Sequence, residues 1–220
     1  HMDDIHDKTD ITVECVCDTN EQRARDFYAK YHACRYETDW KRVVSSESVD
    51  IVIIATYPSS HLEIVEECIK HGKHAICEKP IAADIENGER FVRLVKENPQ
   101  CKILVGHILR HHKTYQKVAQ MIQSGAIGKP IIMRMAQNHH TMDWQKYLRL
   151  ICETSPIIDC GVHYLDVMRW FTGSEIADIS GIGLKTETDV PDGKYNYGLI
   201  TVRMSDGSIA YYEAGWSNTM

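Results

Sequence analysis

Residues 49–80 read VDIVIIATYPSSHLEIVEECIKHGKHAICEKP, and the order of patterns within this stretch decides the fold. VDIVIIAT is apolar at consecutive positions, as a strand covered on both faces must be. Ser60 and Glu63 stand at capping-box spacing before Leu62, Val65, Cys68 and Ile69, which recur on one helical face. Gly72 is placed to end that helix in a left-handed conformation, and KHAIC at 73–77 begins a second strand. Strand, helix and strand in about thirty residues make a βαβ unit with parallel strands.

Outward from this unit the same alternation continues. Upstream lies the strand-like ITVECVCD (11–18), then Thr19 and Asn20 as helix caps, then Ala24, Phe27, Tyr28 and Tyr31 at helical spacing. Downstream come a helix around Phe91–Val95, the strand KILVG (102–106) and a helix near Tyr115–Gln123 stopped by Gly125. The period then changes. PIIMRMAQN (130–138) is strand-like, 159–171 is helical, and YNYGLITVRMSDGSIAYYEAGW (195–216) predicts a hairpin closed at Asp206-Gly207 by a two-residue turn with positive φ. The expected architecture is an α/β Rossmann-type parallel-sheet domain over 1–125, followed by an α+β domain with a largely antiparallel sheet over 126–220.

Composition narrows the function class. The chain has 220 residues, 43% hydrophobic and 25% charged, with a formal charge of −6 and no basic tract. That balance offers no footprint for nucleic acid or an anionic membrane and points to a small-molecule partner. No apolar run approaches a membrane span and no signal-peptide pattern opens the chain, so a cytoplasmic location is expected. Eight cysteines contain no C-x-x-C pair, and several sit in apolar runs as small buried hydrophobes, so they are expected to be reduced.

Chemistry-bearing residues collect at predicted strand ends. Asp18 ends the first strand, where an acid can accept hydrogen bonds from an adenine-ribose diol; a solvated loop aspartate would look the same. Because the next residue is Thr19 rather than an arginine, NAD is favoured over NADP. The segment ATYPSSH (55–61) and the triplet Glu78-Lys79-Pro80 each follow a buried strand, although Lys79 alone is also an ordinary strand-end lysine. A cis Lys79-Pro80 bond, which costs only about 0.5–1 kcal/mol at proline, is expected to aim the lysine. Asp159 and His163 are four apart, one turn on one helical face, with Asp166 beyond. His163 could equally be a polar group at a core boundary. The same spacing could give two metal ligands, but spacing suggests no third, and no metal is expected. The segment NHHTMDWQKYLR (138–149) reads as a loop whose His139, His140, Trp144 and Tyr147 offer polar edges and an aromatic face to a sugar; a plain surface loop is the alternative.

No G-x-G-x-x-G turn is present, since the first glycine is Gly72. If such a turn lay just upstream of His1, Asp18 would fall near the usual offset and HMDDIH would be the tail of the first helix. His-Met is also a common tag remnant, and both readings stand.

Taken in order, Asp18, the T-x-P-x-x-H pattern of Thr56, Pro58 and His61, the EKP triplet 78–80, Gly106 and Arg110 of GHILRHH, SGAIGKP (124–130), and D-x-G-x-H-x-x-D (159–166) resemble the Gfo/Idh/MocA oxidoreductases. The resemblance covers nearly the whole chain. It implies that Lys79, Asp159 and His163 form a catalytic group, that Asp18, Thr19, Asn20, Thr56, Tyr57, Pro58, His61, Glu78 and Lys79 bind NAD, and that Arg110, His140, Trp144, Asp159 and His163 meet a sugar or polyol. It further implies a homo-oligomer formed through the second-domain sheet. The sequence departs from the family pattern at Ile108 and Lys113, which puts a substrate contact from that loop in doubt. By the family's length, the chain is expected to be cut at both ends. Two other functions fit the same residues: a glycoside-cleaving enzyme that oxidises a sugar transiently with NAD, and a non-catalytic NAD- or sugar-sensing regulator. Retention of Lys79, Asp159 and His163 together speaks against the regulator.

Overall fold

The computed structural model describes residues 1–140 and 144–217. It divides into two compact units, residues 1–105 and 106–220. The division falls before the expected boundary at 125. Helix 113–123 belongs with the second unit, where Tyr115 packs on Phe171 with ring centroids 6.2 Å apart.

The first unit holds helix α1 (Met2–Ile5), strand β1 (Cys15–Cys17), α2 (Glu21–Tyr31), β2 (Arg35–Glu37), α3 (Trp40–Val44), β3 (Ile51–Ile54), α4 (Pro58–Lys70), β4 (His74–Cys77), α5 (Ile85–Glu97) and β5 (Ile103–Val105). All strand pairs are parallel, but they fall into two sheets, β1-β2 and β3-β4-β5. Strands β1 and β3 are therefore in different sheets, and Ile51 at the start of β3 is 54% exposed. Asn20 caps α2 as expected, its Oδ1 accepting from the Arg23 amide at 3.1 Å. Helix α4 begins earlier than the Ser60-Glu63 pattern predicts. Pro58 occupies its first turn, where a missing N–H costs nothing, and Ser60 lies inside, donating to the Tyr57 carbonyl. Sequence reading missed β2 and α3, both too short for periodicity to show. The core is formed by Val44, Ile54, Val65, Cys68, Cys77 and Phe91, among others.

In the second unit a short 3₁₀ turn (Ile108–His111) leads to α6 (Lys113–Gln123), β6 (Ile132–His140), α7 (Trp144–Glu153), α8 (Pro156–Asp159), α9 (Gly161–Thr172), β7 (Ile176–Leu184), β8 (Tyr197–Met204) and β9 (Ile209–Ser217). The sheet order is β6-β9-β8-β7; β7-β8 and β8-β9 are antiparallel, β6-β9 parallel. The β8-β9 hairpin forms, but only Gly207 takes positive φ (87°). Asp206 instead accepts from the Ser208 amide (3.0 Å) and hydroxyl (2.7 Å) and pairs with Lys129 at 2.7 Å, which holds its carboxyl far below the usual range. The segment read as a loop at 138–149 is largely strand β6 and helix α7, with 141–143 outside the described residues. Its apolar Tyr147, Leu148 and Ile151 recur at helical spacing and enter a core with Met168, Tyr212 and Trp216.

All eight cysteines are unbridged, and burial pushes the Cys68 and Cys77 thiols up to about 12. Among the described residues no helix is long and apolar enough to cross a membrane.

Gly161 shows why the second unit tolerates no side chain where α9 starts. A Cβ there would lie 2.9 Å from Cε1 of Tyr212, a fully buried ring stacked on Tyr164. Gly161→Ala is therefore expected to lower stability by about 1–3 kcal/mol in urea unfolding, despite alanine's better helix propensity. Equal or greater stability would mean that the ring has room to move.

Candidate active site

Register places the first group of residues. Ile54 aligns with Cys77, and Cys77 with Val105, so β3, β4 and β5 end level. In an open parallel sheet the carboxyl edge is where ligands bind. There the chain leaves β3 as Thr56-Tyr57-Pro58 and leaves β4 as Glu78-Lys79-Pro80, and the Glu78 amide donates back to the Ile54 carbonyl at 2.9 Å. The Lys79-Pro80 peptide is cis, as the sequence reading expects. Thr56 Oγ1 accepts from the Ser60 hydroxyl at 2.7 Å, and Tyr57 is 37% exposed. Glu78 takes part in two close contacts, its Oε1 lying 2.6 Å from Nε2 of His1 and its Oε2 accepting from the Lys79 amide at 3.2 Å.

His61 departs from expectation. The resemblance makes it a cofactor contact, but it is fully buried, with Nδ1 2.9 Å from the Pro80 carbonyl and Nε2 3.1 Å from the Thr56 carbonyl. Burial lowers its pKa, against a smaller opposing pull from the two carbonyls and Glu78.

Asp18 stands at the end of β1. Its Oδ1 accepts from the Asn20 amide at 2.7 Å and its Oδ2 lies 3.3 Å from Arg23 Nε, while a third of the side chain stays exposed. Asn20 spends its own side-chain oxygen on capping α2, so Asp18 is the acceptor this turn offers to a diol. Thr19 beside it is exposed.

In the second unit Asp159 and His163 are not on one unbroken helix. Asp159 ends α8, Cys160 is the junction, and His163 lies in the first turn of α9. His107, absent from the sequence reading, sets its ring edge-on to His163 with centroids 6.4 Å apart, and its Nδ1 is buried with no hydrogen-bond partner. Its signal was the GHILRHH segment, in which Gly106, Ile108 and Arg110 drew notice and His107 did not. Arg110 makes a bidentate pair with the nearly buried Asp166, Nε to Oδ2 at 2.7 Å and Nη2 to Oδ1 at 2.8 Å. Its guanidinium therefore braces α9, where the sequence reading had expected it to meet substrate. Trp144 likewise donates its indole N–H to Asp189 at 2.7 Å and packs on the core. His140 ends β6 opposite Ser217 and is exposed.

The donor set fits the two ends of a dinucleotide: a carboxylate for a ribose diol at Asp18, and beyond the level strand ends the exposed Thr56 and Tyr57 and the half-buried Glu78 and Lys79. The residues present do not include a glycine-rich turn for the pyrophosphate.

Comparison with known proteins agrees with this geometry. Residues 1–107 match the Gfo/Idh/MocA model described as oxidoreductase family, NAD-binding Rossmann fold, and 115–220 match that family's C-terminal domain. The chain is 26% identical over 214 residues to inositol 2-dehydrogenase 4 of Saccharopolyspora erythraea, covering 97% of this chain and 62% of that protein. It is 22% identical over 211 residues to myo-inositol 2-dehydrogenase of Thermotoga maritima, covering 95% and 62%. Among solved structures, it superposes on scyllo-inositol dehydrogenase from Lactobacillus casei with bound NAD(H) and scyllo-inositol at a TM-score of 0.86 and 25% identity, covering 98% of this chain and 65% of that one. The chain thus spans about 62% of the length of the curated relatives it matches. With both of its halves matched by the family's two domain models, the chain belongs to the Gfo/Idh/MocA oxidoreductase family.

Proposed function

We propose that this chain is the greater part of an NAD-dependent dehydrogenase that moves a hydride between a polyol hydroxyl, an inositol or a related sugar, and nicotinamide. The observation that carries the reading is the level ending of β3 and β4, which sets the Thr56–Pro58 turn beside Glu78-Lys79 at one carboxyl edge in a chain of this family. Asp18, Thr56, Tyr57, Pro58 and Glu78 would hold NAD, whose nicotinamide supplies the hydride acceptor. The chain's own residues supply the rest. The His163 imidazole takes the hydroxyl proton as the carbon–hydrogen bond breaks, and Asp159 orients that ring or binds a neighbouring hydroxyl. Lys79 donates to the reacting oxygen and favours its developing negative charge. In reduction, His163 returns the proton. A second copy docking on the sheet is supported by the exposed Ile179, Ile182 and Leu184 of β7.

A screen of inositols and sugars for NADH formation by the intact protein tests the reading; NADH with none of them would refute it. His163→Asn is expected to lower turnover by about 10²-fold or more with NAD affinity nearly unchanged. Unaltered turnover would remove His163 from the mechanism. Asp18→Ala should weaken NAD more than NADP, because it removes ribose hydrogen bonds in one case and charge repulsion in the other. A wild-type preference for NADP would overturn the role of Asp18.

A further inference from the structure

His61 joins two turns that the strand ladder does not reach. The last ladder bond at this edge is Glu78 N–H to Ile54 O, and beyond it the chain diverges into the Thr56 turn and the Lys79-Pro80 turn. The His61 ring, on the first turns of α4, fills that divergence. Its two nitrogens face one carbonyl from each turn, at 3.1 and 2.9 Å, with no exposed surface. A dinucleotide lying over the sheet edge cannot touch a side chain with no exposed surface. With its pKa lowered by burial, the ring donates through one nitrogen and holds the other carbonyl by packing, so an apolar side chain of the same volume would leave one buried carbonyl without its donor.

We infer that His61 is a positioning residue: by spanning the Thr56 and Pro80 carbonyls it fixes the separation of the two turns, and so the placement of Lys79, without touching the cofactor. This rests on the reading of Lys79 as the donor to the reacting oxygen. The physical reason is leverage, since Pro80 is bonded directly to Lys79 and displacement of a reacting group by about 1 Å can cost about 10²-fold in rate.

The test compares wild type, His61→Leu and His61→Asn in the intact protein by hydrogen–deuterium exchange, NAD binding and turnover. In His61→Leu, exchange is expected to rise about tenfold or more in both 55–60 and 78–83, while 64–70 of α4 keeps its protection. NAD affinity is expected to weaken together with the protection of the turns, since they carry its proposed contacts, and kcat should still fall by about tenfold or more at saturating NAD. His61→Asn, too short to reach both carbonyls, should fall between the two and carries the test if His61→Leu does not fold. Unchanged exchange in both turns would overturn the clamp. Weaker NAD binding with the turns still protected would make His61 a cofactor contact instead. Faster exchange with unchanged kcat would leave it merely structural and overturn the positioning role. Should wild type form no NADH, the dehydrogenase reading fails, and the exchange data still decide whether His61 joins the turns.

Discussion

The two turns proposed to meet cofactor in the first unit, Thr56–Pro58 and Glu78-Lys79, depend on the in-register parallel pairing of β3, β4 and β5. Parallel strands that end level deliver their following turns to one edge, so residues more than twenty positions apart in sequence, Thr56 and Lys79, become neighbours. The apolar runs that make these strands supply the core, with Ile54 and Cys77 almost fully buried. Packing thereby fixes the strand ends, and the strand ends fix where the polar turns can go.

The second unit solves a similar problem differently. Helices α8 and α9 meet at Cys160 over the sheet, and Gly161 lets them settle against the Tyr212 ring. Asp166 anchors α9 through Arg110, while Asp159 and His163 flank the junction. The D-x-G-x-H-x-x-D motif therefore mixes jobs. Its glycine serves packing and its last aspartate serves bracing.

Sequence alone made the parallel strands, the α4 and α5 helices, the β8-β9 hairpin and the cis proline legible, because apolar runs, helical spacing and turn residues are local signals. What it hid was decided by tertiary partners. Helix α7 looked like a loop because His139, His140 and Trp144 drew attention from the apolar spacing that follows. Arg110 and Trp144 looked available for substrate until Asp166 and Asp189, 56 and 45 residues away, were seen to hold them. His61 looked like a ligand contact because a motif cannot say whether a ring faces solvent or two buried carbonyls. His107 was unmarked because its importance is its proximity to His163, which no spacing rule encodes.

The central claim is direct hydride transfer between a polyol carbon and nicotinamide on this protein. The most direct measurement uses an inositol deuterated at its ring carbons, incubated with the intact protein and NAD, followed by mass spectrometry of the recovered dinucleotide. The account predicts one deuterium in the reduced nicotinamide for each inosose formed. Reduced cofactor without label, or ketone formed with the deuterium lost to water, would contradict it.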